Sequence, residues 1–249
     1  MEESAGGRRH FLKSVGALGA ASIPAAAGAQ QHAHGAAKSE KYMFLSAAEI
    51  AFLDAAVARL IPADNLGPGA KEAGVTYFID QQLFGGFGMM AKMYRQGPHA
   101  EGTPQQGYQS PLTPQEVYRA AITEINAACA KQYGKSFAEL ATAQQDEVLR
   151  ALDEGKFPLE AVPARFFFNL LLDNTVEGFF SDPIYGGNRD KIGWKLVGFP
   201  GVAAVYTQHV EKYNVPYDAL PISIGDILEN KAELDETGHP KHVLLVRKD

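Results

Sequence analysis

The side chains best suited to chemistry are concentrated between Gly178 and Gly201, where Asp182, Tyr185, Asn188, Arg189, Asp190, Trp194 and Phe199 sit among glycines. Three of them, Asp182, Asn188 and Asp190, offer oxygen donors of the kind a hard cation such as Ca²⁺ takes. Their spacing does not follow the twelve-residue helix–loop–helix calcium pattern. A structural reading of the same stretch is an ordered loop, with Gly186-Gly187-Asn188 permitting a tight turn and Asp–Arg hydrogen bonds tying it over packed aromatic rings. A recognition reading rests on residue type, because Trp, Tyr and Arg dominate interface hot spots. On that reading Tyr185, Asn188, Arg189, Asp190, Trp194 and Phe199 are the candidate partner contacts. The residues alone admit all three.

Other chemistries leave no motif. There is no G-x-G-x-x-G after a strand, no G-x-S-x-G elbow, no H-E-x-x-H helix and no Walker loop. Past the N-terminal segment the histidines are His32, His34, His99, His209, His239 and His242, none with a ligand-like partner at helical spacing. Cys129 is the single cysteine, which excludes an intrachain disulfide, an iron–sulfur cluster and a C-x-x-C-H haem site. Its spacing from Ile122 and Ile125 reads as a buried structural thiol. No catalytic residue, bound cofactor or metal is expected on this chain.

The N-terminus has a separate role. Arg8-Arg9-His10-Phe11-Leu12-Lys13 fits the twin-arginine export consensus, and the Ala/Gly-rich stretch after it ends in Ala27-Gly28-Ala29, a small-residue cleavage site. The apolar stretch is shorter and milder than the ~20 residues of a spanning helix. Arg8, Arg9, Phe11, Leu12 and Lys13 are therefore the expected export signal within residues 1–29, residues 30–41 a flexible tether, and residues 42–249 the folded domain. The expectation is a periplasmic protein that crosses the membrane folded, with the twin-arginine machinery as a partner. A net charge of −6 argues against nucleic acid, whose binders present basic faces to phosphate.

The elements that must position the 178–201 loop read as helices, so the expected class is all-α, a single domain of about six to seven helices with long irregular loops and an irregular tail. Ser46-x-x-Glu49 is a capping box opening a helix that Pro62 stops. A second helix is expected over 70–84, ended by Gly85-Gly86-Phe87-Gly88. Residues 96–111 lack periodicity and read as a long surface loop. Thr113-Pro114-x-Glu116 opens a third helix, and Ser136 and Thr142 begin two short ones, the second ending at Gly155. Pro163 begins the most apolar helix, whose Phe166–Leu172 run predicts either the centre of the core or a partner-facing position. A last helix is expected over 202–213. The run His242–Val246 reads as a short strand or a docking peptide.

The block Ser181–Gly201, with Ala73–Leu83, Met93–Pro98 and Leu60-Ile61-Pro62 upstream, resembles the small (gamma) subunit of membrane-bound gluconate 2-dehydrogenase. The similarity covers about residues 46–213. That resemblance implies an accessory role. Such subunits accompany a large flavoprotein of the glucose–methanol–choline type, which carries FAD, and a c-type cytochrome, which carries haem c. The small subunit carries the twin-arginine signal and helps the flavoprotein to be exported. Relatives accompany flavoproteins that oxidise glucosides or disaccharides at the third carbon, so a glucoside 3-dehydrogenase subunit is an alternative implied by the same resemblance. From the residues alone, an independent periplasmic metal-binding or binding protein is a further alternative.

Overall fold

A computed structural model describes residues 41–244, apart from 101, 203–205 and 207–208. The expected export signal, and the expected tether up to residue 40, lie outside the described residues. Seven α-helices are found among those described: α1 Ala47–Leu60, α2 Val75–Phe84, α3 Pro114–Tyr133, α4 Thr142–Asp153, α5 Ala164–Phe180, α6 Ile192–Val197 and α7 Ile224–Leu228. No sheet forms among them; pairing is confined to isolated bridges such as Gly201 with Ile222 and Ala219 with Leu244. The all-α expectation holds.

Helix starts follow local chemistry. At α1 the Ser46 hydroxyl accepts from the Glu49 N–H while Glu49 accepts from the Ser46 N–H at 2.7 Å, and Thr113 and Glu116 repeat this at α3. Each such box satisfies N–H groups that have no partner within the helix. One expectation needs correction here. Ser136 donates its N–H and its hydroxyl to Glu139 Oε2 at 2.9 and 2.6 Å, but the chain continues for only one 3₁₀ turn, Phe137–Glu139. Thr142 begins α4 as expected, with Ala141 as the cap and Gln144 accepting from the Ala141 N–H.

The second helix is also shorter than its periodicity suggests. Residues 70–74 form turns, and Gly74 in the left-handed region (φ +76°) sets the start at Val75. Five of the twelve residues of the helix expected over 202–213 fall outside the described set, and none of the seven described ones is α-helical. The described part of the His242–Val246 run, up to residue 244, pairs briefly with the chain near residue 220, Leu220 N–H donating to the Val243 carbonyl at 3.1 Å.

Helix α5 occupies the centre, touching α1, α2, α3, α4 and α6. Phe167 and Leu171 are fully buried, Phe166, Phe168 and Leu170 partly so, and Asn169 faces solvent. Of the two positions read from its apolar run, the core centre is the one observed. Polar links fix its neighbours. The buried Tyr118 hydroxyl donates to Asn174 Oδ1 at 2.8 Å, joining α3 to α5. Arg59 pairs with both oxygens of Asp146 at 2.7 and 3.0 Å, joining α1 to α4. Asp80, fully buried on α2, accepts the N–H groups of Met43, Phe44 and Leu45 at 2.8, 2.9 and 2.8 Å. One carboxylate thus fastens the entering strand of chain to the bundle.

Candidate functional site

The 178–201 loop wraps over the C-terminal end of α5, and its residues divide by burial. Asn188 is fully buried with left-handed backbone (φ +45°). Its Nδ2 donates to the Ser181 carbonyl and its Oδ1 accepts from the Gly193 N–H, both at 2.8 Å. Trp194 is 5% exposed; its Nε1–H donates to the Phe180 carbonyl at 2.7 Å, and the Phe199 ring meets it edge-on at 5.2 Å. Two glycines make this closeness possible. A Cβ on Gly187 would lie 2.2 Å from the Gly178 carbonyl oxygen, and one on Gly193 2.1 Å from that of Phe179. Arg189 donates its backbone N–H to the Ala73 carbonyl at 2.9 Å, and its guanidinium lies against Gly74.

Asn188 and Trp194, read from sequence as contact residues, are framework in this structure. A side chain whose surface is already covered by its own chain offers little to a partner. Backbone hydrogen bonds within the loop are joined by an ion pair that reaches out of it, Lys191 with Asp226 of α7 at 2.5 Å. Burial pushes the Asp226 carboxyl up, but hydrogen bonds from Lys191 and from the Ser223 N–H and hydroxyl outweigh it and hold the group below the usual range. Asp182 does not present free oxygens: Oδ1 accepts from the Ile184 N–H at 3.0 Å and Oδ2 from the Ile224 N–H at 2.8 Å. Asp182 thereby joins the loop to α7. Asp190 is exposed, and among the described residues no cluster of three or more His, Cys, Asp or Glu is assembled.

Beside the exposed Arg189, Asp190 and Lys195, the framework presents apolar side chains outward. Tyr185 is 54% exposed, and Ile184, Leu196, Val197 and Phe199 of the same loop are exposed as well. Val176 and Phe180 on the outer face of α5 extend this rim, and two shallow grooves run between it and α2, lined by Gln81, Gln82, Ile184, Tyr185 and Phe180. Sequence reading found Tyr185 and Phe199 but missed Ile184, Val176 and Phe180. For Val176 and Phe180, exposure depends on which face of α5 the bundle covers, which helical periodicity cannot show for a helix apolar all round. A rim of this kind, large side chains on a fixed backbone, suits protein contact.

The family model for gluconate 2-dehydrogenase subunit 3 matches residues 47–201, more than half of the chain. The chain belongs to this family. A gluconate 2-dehydrogenase subunit 3 protein is an accessory subunit of a multi-subunit dehydrogenase, and that coarse role is thereby established for this chain. The span matched for subunit 3 runs from α1 through the Trp194 loop and stops before α7 and the tail. No curated protein and no solved structure matches it.

Proposed function

We propose that this subunit binds, stabilises and co-exports the large FAD-dependent flavoprotein of a periplasmic sugar or sugar-acid dehydrogenase, whose electrons pass to a c-type cytochrome. The reading extends the family's accessory role with the export signal at Arg8-Arg9 and with the exposed apolar rim. The rim is the observation that carries it: Tyr185, Ile184, Phe180 and Phe199 stand outward from a loop rigidified by Asn188 and Trp194. Holding contact side chains in place before binding lowers the ordering cost of association. The flavin and the haems belong to the partners in this reading, and the oxidised substrate is named by the flavoprotein.

The test is co-purification. The chain, tagged at its C-terminus and expressed with its own signal in its native host, is captured from the periplasm and an absorption spectrum recorded. A stoichiometric yellow flavoprotein, reduced by gluconate or another sugar, is the expected result. A colourless single chain under gentle conditions would overturn the reading.

A further inference from the structure

The segment after α2, read from sequence as a helix stop followed by one of the family-like blocks, carries a cluster of exposed apolar side chains. Phe84, Phe87, Met89, Met93 and Tyr94 are 41–84% exposed within eleven residues. This exposure is built in. Gly88 N–H donates to the Gln82 carbonyl at 3.1 Å and Ala91 N–H to that of Gly86 at 2.9 Å, folding the segment back on the helix end. Gln115 at the start of α3 clamps it from the side, its N–H donating to the Gly88 carbonyl at 3.2 Å and its Nε2 to that of Leu83 at 2.7 Å. Gly88 has to be glycine, because a Cβ there would lie 1.8 Å from the Leu83 carbonyl oxygen. Met90 is turned inward and buried at φ +52°, a conformation costly for a side chain with a Cβ. Strain of that kind persists where surrounding structure fixes it, often at contact surfaces.

Charge narrows the occupant. From Gln81 to Ala100 the only ionisable groups of firm charge are Lys92 and Arg95, both exposed, with no acid among them, in a chain of net charge −6. The segment itself thus carries two positive charges and no negative one; Arg95 reaches back to the Pro111 carbonyl at 2.8 Å, near Glu116, and Lys92 stands out from the apolar cluster. Aromatic residues, Met and Arg are the types enriched in protein interfaces, and Met adapts its shape to a partner surface. Two cations, worth about 1 kcal/mol each at an anionic bilayer, fit a membrane surface less well. The segment also continues the rim already described, since Gln81 and Gln82 line the grooves beside Tyr185 and Phe180 and Phe84 lies one helical turn beyond Gln81.

We propose that residues 84–95 and the Tyr185 rim form one docking face for the flavoprotein subunit, the methionine loop meeting an apolar patch edged with carboxylates. This rests on the reading above that a flavoprotein is the partner. The experiment uses the complex of the full mature chain with that flavoprotein purified from it. A benzophenone side chain placed at Phe87, at Met93, or at Glu147 on the exposed face of α4 tests proximity. Crosslinks to the flavoprotein from positions 87 and 93, and none from 147, are expected. Phe87→Ser together with Met93→Ser is expected to weaken affinity on the order of 30-fold, with Tm unchanged because both side chains are exposed. The crosslinks, formed in an otherwise native chain, decide the matter if the serine pair lowers Tm. Crosslinks to a second copy of this chain or to lipid, or an affinity within about twofold of wild type, overturn the proposal. If Tyr185→Ala weakens the complex and the serine pair does not, the flavoprotein reading stands and this inference alone fails. If the wild-type chain binds no flavoprotein, both fail.

Discussion

Replacing Trp194 by alanine separates folding from recognition in the 178–201 loop. The indole is almost wholly enclosed, donates to the Phe180 carbonyl at 2.7 Å and carries the Phe199 ring at 5.2 Å. Truncating a buried aromatic of this size costs roughly 3–5 kcal/mol, and it leaves the Phe180 carbonyl without its partner. For a chain of this length each kcal/mol moves Tm by about 2–4 °C, so a fall of around 10 °C is expected. Tyr185→Ala is the counterpart: a half-exposed side chain with little of its own surface covered, expected to change stability by no more than about 0.5 kcal/mol while weakening the flavoprotein complex. Both variants are melted by circular dichroism at 222 nm, since Trp194 is the only tryptophan and its loss removes the fluorescence signal. Binding is then measured well below each Tm. If Trp194→Ala melts like wild type and yet fails to bind, the indole is a contact residue and its assignment to the framework is wrong.

Three further outcomes follow from named contacts. Asp226 is held below the usual carboxylate range by Lys191 and Ser223, so its contribution is present above the unfolded value of about 3.9 and is lost as pH falls through the lower folded value. Amide exchange across Ile224–Leu228 should therefore accelerate below about pH 4, and Lys191→Met should flatten that dependence; an unchanged profile in the variant would refute the coupling. Asp80→Asn keeps one acceptor oxygen for three N–H groups and turns an NH₂ toward the others, costing on the order of 3 kcal/mol. Exchange at Met43–Leu45 should then rise about 100-fold, and unaltered protection there would show that Asp80 is not the fastener. Changing both Arg8 and Arg9 to Lys should leave the chain, and the flavoprotein with it, in the cytoplasm; fractionation showing normal export of either would remove the co-export step.

Much of the bundle was legible because its signals are local. Ser46/Glu49 and Thr113/Glu116 predict their helix starts, since a capping box satisfies N–H groups whatever the rest of the chain does. The same logic failed at Ser136, where the box formed but the helix did not. The chain there turns Phe137 into the core against Phe52, ring centres 4.7 Å apart, and that tertiary contact outweighs the local preference to continue. The link from Asp80 to Met43–Leu45 spans more than thirty residues and leaves no periodic trace. Nor did the loop at 84–94 announce itself, because exposure without periodicity resembles any helix stop.

The 178–201 block looked like a site for the reason that it is densely constrained, and its constraint has a cause other than catalysis. Gly187 and Gly193 are present because backbone lies on backbone at 2.2 and 2.1 Å from where a Cβ would sit. Asn188 is present because one side chain must satisfy both the Ser181 carbonyl and the Gly193 N–H, and Trp194 because a ring that donates a hydrogen bond closes the space above Phe180. Each of these types is replaceable only at the cost of a clash or of an unpaired buried group. Sequence shows that residues are particular but not whether a partner or the chain itself requires it. The structure divides the block accordingly: the particular residues point inward and weld α6 to α5, while the less particular Ile184, Tyr185 and Phe199 point outward. If recognition is carried by that outer set, substitutions that keep size and apolarity there, such as Tyr185→Phe, should preserve the complex, whereas Gly193→Ala should unfold the loop and abolish binding only as a consequence.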